Sequence, residues 1–210
     1  MKTRNFLIPL FVFLILIFYL FAQDRFIRFE KQHVTVNDFK ADGYILAIGG
    51  GSEGTIGRIK GSQVIAIDIN KRELEEAPDG PLKIIMDARD LQFLDQTFNT
   101  VTSFFTLMYI DGNDHEKVFN EIFRVLKPGG RLLIWDAIIP KYTDSLHDRV
   151  LVPLRIKLPQ GEVETGYGAH LPREDHDLTY YVTLSEKTGF KIVLKELKNT
   201  IFHMVVQKPE

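Results

Sequence analysis

The residues best placed to do chemistry are the glycine-rich stretch Gly49-Gly50-Gly51-Ser52-Glu53-Gly54 and two aspartates that follow it at even intervals, Asp68 and Asp87, each 19 residues after the previous landmark. Glycines let a backbone turn tightly and approach a ligand, and the amides at the start of a following helix can face that ligand. An acidic side chain at the end of the next strand can accept hydrogen bonds from both hydroxyls of an adenosine ribose. Asp87-Ala88, one strand further on, supplies a carboxylate or backbone group for the edge of a base. This spacing points to an adenosine-bearing cofactor. The glycine turn alone is shared with dinucleotide-binding folds and with tight strand-to-helix turns that bind nothing.

The elements needed to position these residues are legible in the apolar pattern. Short apolar runs at Tyr44–Ile48, Val64–Asp68, Leu82–Met86, Val101–Phe105 and Arg131–Trp135 read as buried parallel strands. Between the fourth and fifth, Asp114 to Leu126 places Val118, Phe119, Ile122, Val125 and Leu126 at helical spacing, and Lys127-Pro128-Gly129-Gly130 ends that helix. Leu178 to Thr188 reads as a helix closed by Gly189. The runs Ile192–Leu197 and Ile201–Val206 are joined by only three residues, too few for a parallel crossover, so they form an antiparallel hairpin. The expected fold class is α/β, a doubly wound, mostly parallel seven-stranded sheet with a C-terminal antiparallel hairpin.

The order of these features from Tyr44 to Val206 resembles the class I, Rossmann-like S-adenosylmethionine-dependent methyltransferases, of the type 11-like kind. The stretches carrying the resemblance are Ile45-Leu-Ala-Ile-Gly-Gly-Gly51, Ala66-Ile-Asp68, Met86-Asp-Ala88 and Arg124-Val-Leu-Lys-Pro-Gly-Gly130, together with the closing hairpin. The resemblance implies S-adenosylmethionine as cofactor. It places Gly49 and Gly51 at the methionine part, Asp68 at the ribose, Asp87 and Ala88 at the adenine, and Phe105 and Thr106 beside the cofactor. The chain departs from the family's pattern at Ala47, where an acid usually helps hold the cofactor's amino group, and Glu53 is the candidate substitute. A second departure is Asn99, where an acid often precedes the fourth strand.

Methyl transfer from a sulfonium needs an aligned nucleophile and exclusion of water more than a catalytic group, although an oxygen or nitrogen nucleophile also calls for a base. Tyr109 and His170 are the favoured substrate-side residues, with Asp136 and His176 as further candidates at the carboxyl edge of the sheet. Residues 137–178 read as an insertion over that edge that selects a small-molecule acceptor. Within it Val150–Leu158 and Glu162–Tyr167 are expected to form two strands. The polar run His170, Glu174, Asp175, His176, Asp177 matches no ligand spacing for a metal and reads as a solvated loop.

The N-terminal part stands apart. Phe6 to Ala22 contains no charged residue and, as a helix, would reach roughly 25 Å, the short end for a membrane crossing. Residues 1–23 read as a single-pass membrane anchor through 6–22, with a cleaved signal peptide and a buried helix as alternatives. Residues 24–43 read as a juxtamembrane linker containing a short helix, and 44–210 as the methyltransferase-like domain. Basic residues flank the apolar run on both sides, so orientation rests on the cofactor, a cytoplasmic metabolite, which places the domain in the cytoplasm. A net charge of −2 argues against a general nucleic-acid partner. With no cysteine, disulfides, thiolate metal sites and a cysteine nucleophile are excluded. The two rival functions are an NAD(P)-dependent oxidoreductase, which shares the glycine turn, and a non-catalytic methyltransferase-like scaffold, which Ala47 would suit.

Overall fold

The computed structural model of the chain describes residues 26–143 and 147–210. The Phe6–Ala22 run lies outside them, and no helix among the described residues is long and apolar enough to cross a membrane.

The centre of the molecule is a seven-stranded sheet built from β3 (Ile45–Ile48), β4 (Val64–Asp68), β5 (Leu82–Ile85), β6 (Phe98–Phe104), β7 (Leu126–Ala137), β10 (Lys191–Lys198) and β11 (Ile201–Gln207). Its spatial order is β10-β11-β7-β6-β3-β4-β5. The five strands from β7 to β5 run parallel, and β11 lies antiparallel between β7 and β10. The expected seven-stranded sheet with its closing hairpin is therefore present.

Strand periodicity divides the core between the two faces. Leu46, Ile48, Val101, Leu132, Phe202 and Met204 pack on one side with Val118, Phe119 and Ile122 of α3 (Gly112–Val125) and Tyr181 and Leu184 of α4 (Leu178–Thr188). Ile45, Ala47, Val64, Ala66, Phe104 and Trp135 face the other side. There they meet Ile56 of α1 (Thr55–Lys60) and Leu74 of α2 (Lys71–Glu76). Each main helix starts on an Asx cap: Asp111 accepts from the Asn113 amide and Asp177 from the Tyr180 amide.

The second face carries more than helices. β8 (Arg149–Leu158) and β9 (Gly161–His170) form an antiparallel hairpin paired from Arg149↔His170 to Leu158↔Gly161. The other edge of β8 pairs in parallel with β1 (Phe26–Arg28) and then β2 (Gln32–Thr35). This cover sheet turns Val150, Val152, Leu154, Ile156 and Leu158 into the same core as Trp135 and Phe104. The two strands expected within 137–178 are thus present.

Residues 24–43 are not a helical linker where they are described: β1 and β2 are strands of the cover sheet. Their apolar signal is short, with Val34 and Val36 buried between the polar neighbours His33, Thr35 and Asn37, and isolated alternation of that length resembles loop sequence. Two boundaries also move. β6 begins at Phe98 rather than Val101. Leu126 already pairs with Phe98, and pairing resumes at Arg131 with Thr100, so residues 127–130 loop out of the ladder rather than preceding the strand.

Candidate functional site

β3 delivers its last residue, Ile48, to the carboxyl edge of the sheet, and Gly49 turns the chain with φ of 62°. A Cβ at Gly49 would lie 2.2 Å from Thr106 Oγ1, which donates to the Ile48 carbonyl at 3.1 Å. A Cβ at Gly51 would lie 2.6 Å from Glu73 Cβ on α2. Both positions therefore require glycine for the close approach of the chain to itself. Three amides of the turn are also satisfied internally: Gly50 donates to Ile67, Ser52 to Glu73 and Gly54 to Gly51. The turn is thus a rigid, internally bonded edge of the site.

That edge borders a cleft of about 780 Å³, within the size range of small-molecule and cofactor sites. Gly49, Gly51, Glu53, Asp68, Asp87, Ala88, Phe105 and Thr106 all line it, and so does Tyr109. Residues from Gly49 to Tyr109 meet because β3, β4, β5 and β6 end at the same edge of a parallel sheet, the usual place for ligands in such folds.

The acidic groups differ in how they are occupied. Asp68 closes β4, and its Oδ1 accepts from the Asn70 amide at 2.8 Å. Asp87 is held by Arg89 through Nε and Nη2, at 3.0 and 2.7 Å, and this guanidinium keeps its carboxyl below the ordinary aspartate range. The same Arg89 reaches Asp114 at 2.8 Å, tying this wall of the cleft to the start of α3. Ala88 and Met86 flank this pair in the cleft wall.

Glu53 projects toward the cover sheet. Its carboxylate accepts from the hydroxyls of Thr165 and, at 2.7 Å, Tyr167. Burial pushes its carboxyl up, but hydrogen bonds from Thr165, Tyr167, its own backbone amide and the Ser52 hydroxyl together outweigh burial and leave it below the ordinary glutamate value. Neither Thr165 nor Tyr167 carries a site motif in the sequence. The signal lies in the two-residue period of β9, where Val163, Thr165, Tyr167 and Ala169 turn inward while their neighbours turn out.

The same alternation corrects the reading of His170. Ala169 is buried, so His170 faces outward, is exposed, and does not line the cleft. Tyr109 sits on a 3-10 turn, Leu107–Tyr109, with its ring edge-on to that of Tyr167 at 6.4 Å between centroids. Burial of its hydroxyl pushes its pKa up to about 12, so at neutral pH it donates a hydrogen bond rather than serving as a base.

Asp136 is fully buried at the end of β7 and accepts from the Leu107 amide at 2.9 Å and the Ala137 amide at 2.8 Å. It fixes the turn that carries Tyr109 and does not touch the cleft. Burial raises its carboxyl to about 7, against the pull of those amides. His176 is buried rather than part of a solvated loop. Its ring stacks on Tyr180 at 4.6 Å and its backbone bridges Ile139, which removes it from the substrate side. Among the described residues no group of three or more His, Asp or Glu is arranged to hold a metal ion.

Residues 46–134 match the family model described as a methyltransferase domain. The matched stretch, less than half of the chain, is similar to that domain and carries the glycine turn, Asp68 and Asp87. The family is S-adenosylmethionine-dependent. Among curated proteins the chain is similar to the ubiquinone/menaquinone biosynthesis C-methyltransferase of Marinomonas sp., 33% identical over 129 residues that cover 54% of this chain and 51% of that protein. It is also 35% identical over 124 residues to the demethylmenaquinone methyltransferase of Clavibacter sepedonicus, covering 54% of this chain and 50% of the relative. The chain thus spans about half the length of these relatives. Among solved structures, an S-adenosylmethionine-dependent methyltransferase of Methanosarcina mazei superposes with a TM-score of 0.58 at 22% identity, covering 81% of this chain and 94% of that one. Phosphoethanolamine N-methyltransferase 2 of Haemonchus contortus, solved with S-adenosylmethionine, gives 0.57 at 17% identity over 82% of this chain and 50% of that one. These structural likenesses show the fold alone.

Proposed function

We propose that this chain transfers a methyl group from S-adenosylmethionine to a small, apolar, ring-bearing acceptor, and that residues 6–22 anchor it to a membrane with the domain in the cytoplasm. One observation carries the catalytic part. The glycine turn, Asp68, the Asp87-Ala88 pair and the Phe105-Thr106 pair, predicted separately from sequence, line a single cleft.

The cleft suits this cofactor chemically. Asp68 presents a carboxylate at the end of β4 for a ribose, and Met86 and Ala88 form an apolar wall for a base. When bound, the cofactor supplies an activated methyl group on a sulfonium. The protein's part is positional. Gly49 and Gly51 form the rigid edge described above, Phe104, Phe105, Ile110 and Tyr167 exclude water, and Tyr109 offers a hydroxyl proton to the acceptor. With Tyr109 protonated and His170 facing away, neither favoured substrate-side residue can serve as a base in the cleft. An acceptor that brings its own nucleophilic carbon or an already acidic hydroxyl therefore fits best.

The relatives named for quinone biosynthesis support a ring-bearing acceptor, and the aromatic wall gives it an apolar surface. The anchor rests on the uncharged Phe6–Ala22 run alone. To test the reading, the full chain is purified in detergent and incubated with methyl-tritiated S-adenosylmethionine and a lipid extract of its host. Label entering an extractable apolar compound is the expected result. Absence of both cofactor retention and label transfer contradicts the proposal. Protease treatment of intact cells tests orientation, and digestion of the domain from outside contradicts a cytoplasmic site.

A further inference from the structure

The cover sheet has a second face, turned away from the core, and the described chain enters the fold on it. Alternation along β8 buries Val150, Val152, Leu154 and Ile156, so Arg149, Leu151, Pro153 and Arg155 point outward. On β9 the outward positions opposite Leu151 and Pro153 are glycines, Gly168 and Gly166. With no side chains there, Phe26 and Leu151 lie over the β9 backbone: a Cβ at Gly168 would be 3.7 Å from Phe26 Cε1 and 3.9 Å from Leu151 Cδ1. Phe26, Leu151 and Pro153 thus form a shallow apolar patch on the outside of the sheet.

The charges around this patch are uneven. At its far end Glu164 takes both Arg155 and Lys31, and Lys157 stands opposite Glu162. At the near end Arg149 holds its guanidinium carbon 5.9 Å from the centroid of the Phe26 ring. Neither Arg149 nor the exposed Arg28 has a carboxylate partner among the described residues. This cationic end is also where the chain arrives. Phe26 opens β1, and only Gln23, Asp24 and Arg25 separate it from Ala22, the last residue of the uncharged run Phe6–Ala22. Four residue steps reach at most about 14 Å, so the Phe26 end of the outer face lies within that distance of the run. An apolar patch with an unpaired cationic edge, tethered beside an apolar run, matches the interface of a bilayer that bears anionic headgroups.

We propose that the outer face of the cover sheet docks on an anionic lipid surface, with Phe26 and Leu151 at headgroup level and Arg28 and Arg149 on lipid phosphates. This rests on the reading of residues 6–22 as a membrane anchor and deepens it by fixing which side of the domain meets the bilayer. β9 then stands between lipid and ligand: Gly168 faces the bilayer, while Thr165 and Tyr167 line the cleft from the other side of the same strand. The cleft wall is one strand thick there, which places the site beside the phase in which an apolar acceptor dissolves.

The chain has no cysteine, so one introduced cysteine takes a single fluorescent label. Gly168→Cys labels the outer face, and Glu186→Cys, exposed on α4 across the central sheet, is the reference. Each labelled full chain is inserted into preformed phosphatidylcholine vesicles with or without phosphatidylglycerol and floated to measure retention. It is then exposed to a lipid carrying a headgroup nitroxide and to aqueous iodide. With phosphatidylglycerol present, the Gly168→Cys label should be quenched by the nitroxide lipid and shielded from iodide, and the Glu186→Cys label should behave the opposite way. Adding Arg28→Gln and Arg149→Gln should lower the ratio of docked to undocked domain roughly 25-fold, about fivefold per arginine, in a chain that still floats. Equal lipid quenching at the two positions of a floating chain overturns the docking and leaves the anchor standing. Shielding of the Gly168→Cys label from iodide without lipid quenching also overturns it, because another protein copy then covers the face. An unaltered ratio in the arginine variant overturns it too, since the cationic edge would contribute nothing. Failure to float in either lipid overturns the anchor reading itself, and the docking with it.

Discussion

The two sheets meet at the same cleft but reach it by different physics. The central sheet holds its site residues through backbone demands: Gly49 and Gly51 exist because Thr106 and Glu73 pack where a Cβ would be, and Asp68 caps the end of a buried strand. The cover sheet holds its site residues through side-chain chemistry, with two hydroxyls of β9 fastening one carboxylate of the turn. A backbone demand admits almost no substitution. A hydroxyl-carboxylate tie tolerates many, provided the strand keeps its alternation. The first half should therefore respond to mutation mainly in stability, and the second mainly in ligand selectivity.

The sharpest way to break this contrast is Gly49→Val. Its side chain would collide with Thr106 in a left-handed backbone, so we expect a loss of about 3 kcal/mol or more in urea unfolding and no measurable cofactor binding. Near-wild-type stability would show that the turn is looser than its contacts imply. Ile156→Ala asks whether the cover sheet is truly part of the core. It is fully buried on β8, and we expect a cost of about 2–4 kcal/mol. A cost under about 0.5 kcal/mol, typical of a surface site, would make the cover sheet a loosely docked flap.

Asp136 and His176 provide a titration test of the region behind the cleft. The folded pKa of Asp136 is raised to about 7, above the unfolded value near 3.8, so its effect favours the fold at low pH and is lost as pH rises through 7. His176 is depressed to about 4 from 6.5, which gives the opposite sign: its contribution is full above 6.5 and is lost as pH falls toward 4. In the wild type the two slopes oppose each other. Asp136→Asn should remove the first and make stability climb with pH by about 2 kcal/mol more between pH 5 and 7.5. Identical pH slopes in urea midpoints of the two proteins would contradict the assignment.

Smaller effects belong to the cleft rim. Asp68→Ala should weaken S-adenosylhomocysteine about tenfold, worth about 1.4 kcal/mol, while melting close to the wild type. Unchanged affinity would remove Asp68 from the site. His170→Ala, facing outward on β9, should change stability by less than about 0.5 kcal/mol and leave S-adenosylhomocysteine affinity alone. A large loss of binding would mean that β9 sits in another register.

These outcomes also explain what was legible in the sequence. Buried parallel strands announce themselves as unbroken apolar runs, and glycines that must approach other atoms stand out, so β3, β4, β5 and the cleft edge were readable residue by residue. Thr165 and Tyr167 were not, because a hydroxyl that matters only through a partner 112 or 114 positions away has no local signature. His170 reads as a site residue only if the strand ends at Tyr167. Continuing the alternation to Ala169 turns it outward. β1 and β2 were missed because three- and four-residue strands gain their stability from β8 rather than from their own pattern. Arg89 was missed because its value to the site lies in bridging Asp87 to Asp114 across the fold.

Whether the joint cleft takes a methyl donor is decided by titrating the full chain calorimetrically with S-adenosylhomocysteine and, in parallel, with NAD. Saturable one-to-one binding of S-adenosylhomocysteine, weakened by Asp68→Ala, with no heat from NAD is the predicted result. Binding of NAD in its place, or no binding of S-adenosylhomocysteine at millimolar concentration, would contradict the account.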